Sequence, residues 1–193
     1  MASIFAYVVH KDGAVDDSAA ELLSAARKID PDEEPVAITA GFGSDLDSVC
    51  ETLQRSYREI WKISNEAFAY PNAELVRKAL IKVLPPGSIV LVPHNHLGID
   101  LSPGLSVKTN TPFVSDVLDI EGREGSWLKV VRQEFGGQIS AHVMCDVSCG
   151  AVINIRPGAF KYLEASSGNG TIVDKSVEIG PISSGRRYLH TIV

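Results

Sequence analysis

Between Val92 and Leu101 the chain reads V-P-H-N-H-L-G-I-D-L, placing His94, Asn95, His96, Gly98 and Asp100 within seven residues. A His-x-His pair followed by a carboxylate is a start toward a metal site. A catalytic zinc needs three protein ligands and a water, and the third ligand here would be a guess, so no metal is assigned and the histidines are read as a polar, helix-capping loop. Asp100 is expected near the start of a helix from Leu101 to Val107, where a carboxylate suits the helix dipole whatever the function. The competing reading is that the loop binds a ribose or phosphate, with Gly98 permitting close approach and the helix amides facing the anion.

Two more strand ends contribute His10, after Val9, and Gly41, after Ala40. The candidate ligand-binding set is therefore His10, Gly41, His94, Asn95, Gly98 and Asp100. No catalytic constellation accompanies it. A Gly-rich phosphate loop, a G-x-G-x-x-G after the first strand and a G-x-S-x-G elbow are all missing. His10, His142 and His190 are scattered, so no nucleophile is assigned. Cys145 and Cys149 on one extended strand would lie roughly 13 Å apart, too far for a disulfide. With Cys50 they are read as reduced thiols.

These side chains need a scaffold. Ile89 to Val92 is a continuous, mostly β-branched run entered through Pro85-Pro86-Gly87, the pattern of a strand buried on both faces. In open α/β sheets ligands bind outside the carboxyl ends of such strands. Earlier, Ser3 to Val9, Pro35 to Ala40 and Tyr57 to Ile63 read as strands. Helices alternate with them. The first carries Leu22, Leu23, Ala26 and Ile29, with Ser18 and Glu21 at capping-box spacing. The second starts near Ser44 and Asp47, and the third is capped by Asn72 and carries Leu75, Val76, Ala79, Leu80, Val83 and Leu84.

After Pro112 the pattern changes to Phe113–Ile120, Trp127–Phe135, Gln138–Met144 and Ala151–Ile155, all strand-like with Gly-rich turns. The expected fold is three-layer α/β/α with a mainly parallel sheet, of the adenine-nucleotide-hydrolase-like kind, and antiparallel strands added at one edge toward the C-terminus. Residues 1–164 form the expected domain. Residues 165–193, opening on Ser166-Ser167-Gly168-Asn169-Gly170, read as a linker or docking tail.

The chain has 193 residues, 45% of them hydrophobic and 22% charged, as a folded domain with a continuous core requires. A net charge of −6 without a clustered Lys/Arg stripe argues against nucleic acid as a partner. No stretch approaches the roughly 20 apolar residues of a membrane span, and no basic region precedes the first apolar run, so a cytoplasmic protein is expected.

Three segments, Gly98-Ile99-Asp100-Leu101-Ser102-Pro103, Pro112-Phe113-Val114-Ser115-Asp116-Val117 and Ile155-Arg156-Pro157-Gly158-Ala159-Phe160, resemble in order and spacing the N-terminal domain of the electron transfer flavoprotein alpha subunit. Val131-Arg132-Gln133-Glu134-Phe135-Gly136-Gly137 is similar to that family's R-P-x-Y-x-G segment. Ile99 and Gly104 stand where the family commonly has Arg, and Gln133 where Pro is usual. The resemblance reaches about Lys161, and the C-terminal domain that carries most of the family's FAD contacts is absent.

The resemblance implies a redox setting and a structural role. The chain is expected to be a non-catalytic module of an electron transfer flavoprotein system, pairing with a beta-like subunit and a flavin domain carried elsewhere. It would hold no cofactor tightly by itself, with FAD or AMP bound in a complex. The alternative is a stand-alone adenine-nucleotide-binding protein using the strand-end loops. A homo-oligomer is left open.

Overall fold

In a computed structural model describing residues 3–162, 169–186 and 188–190, the first half of the chain alternates strand and helix. Strand β1 (Ile4–Tyr7) leads through a two-residue hairpin, β2 (His10–Lys11) and β3 (Ala14–Val15), into helix α1 (Ser18–Ile29). Then come β4 (Val36–Gly41), α2 (Gly43–Leu53), β5 (Glu59–Ser64), a 3₁₀ turn (Glu66–Phe68), α3 (Ala73–Val83), β6 (Ile89–Pro93) and α4 (His96–Thr109). The second half supplies β7 (Phe113–Glu124), β8 (Trp127–Glu134), a 3₁₀ turn (Phe135–Gly137), β9 (Ile139–Asp146), β10 (Ala151–Ile155) and β11 (Thr171–Asp174).

Nine of the strands form one sheet in the order β11-β5-β4-β1-β6-β10-β7-β8-β9. Because side chains alternate across a strand, β6 sends Ile89 and Leu91 into one core with Leu22 of α1 and Leu46 of α2. Val90 and Val92 enter a second core with Leu75 and Leu80 of α3 and Leu101 and Leu105 of α4. A sheet covered on both faces makes its central strands apolar throughout. The expected α/β/α layering is what the chain adopts.

Three local expectations are corrected. In the nine-stranded sheet the antiparallel pairs are β7–β8 and β8–β9, so that β8 alone runs against the rest. Strand β10, expected among the antiparallel edge additions, lies between β6 and β7 and is parallel to both. All five of its residues are buried, so only a central position removes both of its faces from water. Its tight approach is fixed at Gly150, where φ is +89° and a Cβ would stand 2.3 Å from the Ser88 carbonyl oxygen.

The capping box at Ser18 is also absent. Asp17 precedes α1 without a side-chain cap. The Glu21 carboxylate instead accepts from the backbone N–H groups of Gly158 (2.8 and 2.9 Å) and Phe160 (3.4 Å), tying α1 to the turn after β10. Asn72 does cap α3, accepting from the N–H of Glu74 at 3.0 Å and of Leu75 at 3.3 Å.

The third correction concerns the C-terminal stretch expected to be a linker or docking tail. Residues 171–174 form β11, which pairs in parallel with β5 along its whole length, Thr171 with Glu59 through Asp174 with Lys62. Beyond it the Ser176 hydroxyl accepts from Ser64 N–H at 2.8 Å, and Ile179 is fully buried in the α3/α4 core. Its carbonyl accepts from Lys82. Residues 171–179 thus pack on the chain's own sheet and core, while 165–168, 187 and 191–193 lie outside the described residues. Ile179→Ala therefore costs about 2–5 kcal/mol, as for any buried Ile, read as a lowered urea midpoint; a side chain on a free tail would leave the midpoint unchanged.

Candidate functional site

The carboxyl ends of β6 and β10 and the first residues of β7 meet in a chain of polar side chains. It starts at Asn154, the one polar residue of β10, fully buried. Its amide Nδ2 donates to the Gly98 carbonyl at 3.2 Å and lies 3.4 Å from His94 Nδ1. With Nδ1 as acceptor, the His94 proton sits on Nε2, which lies 3.8 Å from Asp116 Oδ1.

Asp116 sits at a one-residue bulge. Between the pairs Val114–Ile153 and Val117–Ile155, strand β7 spends Ser115 and Asp116 opposite Asn154 alone, and Asp116 adopts φ +61°. Bulges re-aim side chains, and this one turns the carboxylate toward Arg156. Arg156 Nε donates to Oδ1 at 2.7 Å and Nη2 to Oδ2 at 2.6 Å, a two-pronged pair, while Nη1 donates to Gln133 Oε1 at 2.6 Å. The Arg156 hydrogen bonds hold the Asp116 carboxyl below its usual range and raise the guanidinium, so both stay charged.

These groups open into a cleft of 610 Å³ that also takes in Arg132 and the Phe135-Gly136-Gly137 turn. The Arg132 Nε is buried without a hydrogen-bond partner and lies 3.7 Å from a Glu134 carboxylate oxygen. Phe135, at φ +52°, projects 73% exposed from the tip of the turn. Donors and acceptors are present, but no hydroxyl or thiol stands beside a base. Among the described residues no group of three or more His, Cys, Asp or Glu is disposed to hold a metal ion.

The six residues singled out from the sequence divide among different tasks. Asn95, not Asp100, caps α4, its Oδ1 accepting from Gly98 N–H at 3.0 Å; the helix begins five residues earlier than expected, at His96. Gly98 faces the protein, not a ligand: a Cβ there would stand 1.9 Å from the Pro93 carbonyl oxygen. Asp100, within the helix, pairs with Arg186 from the C-terminal stretch. His94 and His96 diverge, His94 toward Asn154 and Asp116, and His96 toward a groove shared with Tyr70, Asp100 and Tyr188. The Tyr70 and Tyr188 rings stack there at 4.5 Å.

His10 and Gly41 do come together, at the ends of β1 and β4. His10 Nε2 bonds the Ala40 carbonyl at 3.0 Å, and a Cβ on Gly41 would stand 2.8 Å from that nitrogen. In both glycines the space a side chain would take is filled by protein, and the Asn95 and Asp100 side chains are engaged within the chain.

Asp116, Arg156, Gln133, Arg132 and Asn154 were not singled out as site residues. The first four lie in the segments that carry the family resemblance. Asn154 had a plainer signal, a lone amide inside the apolar run A-V-I-N-I. Gln133, standing where Pro is usual in the resembled family, completes the hydrogen bonding of Arg156. Beside Gly104, the Arg77 guanidinium of α3 fills the space a side chain would take, with Nη1 2.5 Å from a built Cβ.

A three-layer α/β/α fold with a mainly parallel sheet and a salt-bridged cleft at its strand ends defines an open-sheet α/β domain. Comparison with known proteins narrows this. The chain belongs to the electron transfer flavoprotein domain family, whose model matches residues 4–179. It is 26% identical over 187 residues to the electron transfer flavoprotein subunit alpha of Methylophilus methylotrophus, covering 95% of this chain and 57% of the relative.

It is 23% identical over 172 residues to protein FixB of Clostridium saccharobutylicum, covering 86% and 51%. With the electron transfer flavoprotein subunit alpha of Clostridium acetobutylicum the identity is 21% over 183 residues, covering 91% and 53%. The chain spans about half the length of the curated relatives it matches. Among the described residues no helix is long and apolar enough to cross a membrane.

The Asp116–Arg156 pair has a pH signature. A carboxyl whose pKa is depressed on folding contributes stability that is present above its unfolded value of about 3.9 and lost as pH falls through the folded value. Asp116→Asn lowers stability at neutral pH by about 1–3 kcal/mol, the range for hydrogen bonds to charged groups. It also flattens the fall in stability below about pH 4. Urea titrations of both proteins between neutral and acid pH check both effects; parallel curves would assign the acid limb to other carboxylates.

Proposed function

We propose that this chain is a non-catalytic module of an electron transfer flavoprotein system, working in the cytosol and docking a beta-like subunit and a separate flavin domain. The observation that carries it is the family match over residues 4–179. The inward use of the strand-end residues supports the same reading, since Gly98, Asn95 and Asp100 serve the fold itself. The chain alone holds no flavin or AMP tightly, and FAD or AMP is held in the assembled complex. Its contribution to electron transfer is positional, as a rigid platform against which the flavin-bearing partner rests.

Absorbance of the freshly purified chain and nucleotide analysis after heat release are expected to show neither flavin nor AMP. Co-expression with the neighbouring beta-like and flavin-domain chains is expected to yield a yellow complex that co-elutes with this chain. Stoichiometric flavin on the isolated chain, or no complex on co-expression, would overturn the proposal. AMP released from the isolated chain would turn the assignment to the nucleotide-binding class.

A further inference from the structure

Strand β9 forms one edge of the sheet. Its inner side pairs with β8 over all eight residues, from Trp127 opposite Asp146 to Glu134 opposite Ile139, with no register shift. Among the described residues nothing pairs with its outer side. An open edge of this length is a template for another strand, and folded proteins blunt such edges with lysine, proline, bulges or a covering element. Strand β9, I-S-A-H-V-M-C-D, has no lysine, proline or bulge, and its one formal charge is Asp146 at the end. Ile139 is 51% and Met144 56% exposed, and Trp127 of β8, opposite Asp146 and diagonal to Met144, is 46% exposed.

We propose that β9 pairs antiparallel with β9 of a second copy about a two-fold axis through Val143, so that one sheet runs through a dimer. Strand alternation fixes what meets what. On the face where Cys145 is buried and Val143 packs against the core, Val143 meets itself and Ala141 meets the partner's Cys145. On the other face His142 meets the partner's Met144, and Ser140 meets the partner's Asp146, whose carboxylate can accept from the serine hydroxyl.

His142 also lies diagonal to the partner's Asp146, within reach of a cross-strand charge interaction, and on the other diagonal to the partner's His142, and no like charges stand directly opposite one another. Centring the axis on His142 would set that histidine, with its 2.8 Å contact to Glu121, against its own copy. Pairing of a strand with itself closes after two copies and leaves no free β9 edge. This surface is separate from the strand-end cleft.

Sedimentation equilibrium of the whole chain at micromolar concentration is expected to give twice the 20.7 kDa chain mass. Met144→Lys adds a cation beside Lys129, its neighbour on β8, and opposite the partner's His142. Met144 is exposed, so the variant folds with an unchanged circular dichroism spectrum. Its association weakens about tenfold or more, the equivalent of roughly 1.4 kcal/mol. Val143→Cys cross-links to its own copy under mild oxidation, whereas the parent chain with exposed Cys149 does not. A parent chain that sediments as a monomer, a dimer unmoved by Met144→Lys, or a Val143→Cys chain that fails to cross-link overturns the proposal.

Discussion

Strands β6 and β10 lie side by side with all ten of their residues buried, and the rest of the molecule is arranged to keep them so. Each parallel strand needs a crossover, and the crossovers supply the helices that cover both faces. Such a pair leaves little room for polar atoms. The exception is Asn154, next to last in β10, and a buried amide must find partners. Its Nδ2 finds them in the Gly98 carbonyl and His94, just beyond the carboxyl end of β6, while its Oδ1 has no hydrogen-bond partner among the described residues. The polar chain at the strand ends is thus anchored in the most buried part of the fold.

From that anchor the geometry runs outward. The short step from β6 into α4 requires a residue without a side chain where the helix passes the Pro93 carbonyl, and Gly98 provides it. The bulge in β7 aims Asp116 across the end of β10 at Arg156, and Gln133 of β8 completes the guanidinium's hydrogen bonds. Three strands are clamped at one point. A two-pronged Arg–carboxylate pair fixes angle as well as distance, so the turn bearing Phe135 starts from a defined position.

Features set by local pattern were legible in the sequence. The apolar run at Ile89–Val92 identified a buried strand, the stripe from Leu75 to Val83 identified α3, and Asn72 its cap. Features set by distant parts of the chain were not. Ser18 and Glu21 have capping-box spacing, but the Glu21 carboxylate is taken by amides 137 and 139 residues away. Asp100 has a capping residue's type, but the helix begins five residues earlier at His96, where Asn95 accepts from the Gly98 amide. The A-V-I-N-I run carried the same message as Ile89–Val92, but its hairpin neighbours drew it to the edge. Asp116 owes its role to a positive φ and a bulge, neither of which has a sequence signature when the residue is not glycine.

The inward engagement of the strand-end residues bears on what such a domain contributes to an assembly. A loop kept open for a ligand keeps donors unpaired and glycines facing space. Here the Asn95 carbonyl, the Asp100 carboxylate and the open side of Gly98 are all committed within the chain. Commitment of this kind lowers the entropy left to lose when a partner docks, because side chains already fixed need not be ordered again. The same fold can therefore serve as a ligand site where its strand-end loops are open and as a platform where they are closed upon themselves. In this chain the Asp116–Arg156 clamp and the Asn95 cap hold the strand-end loops closed upon themselves.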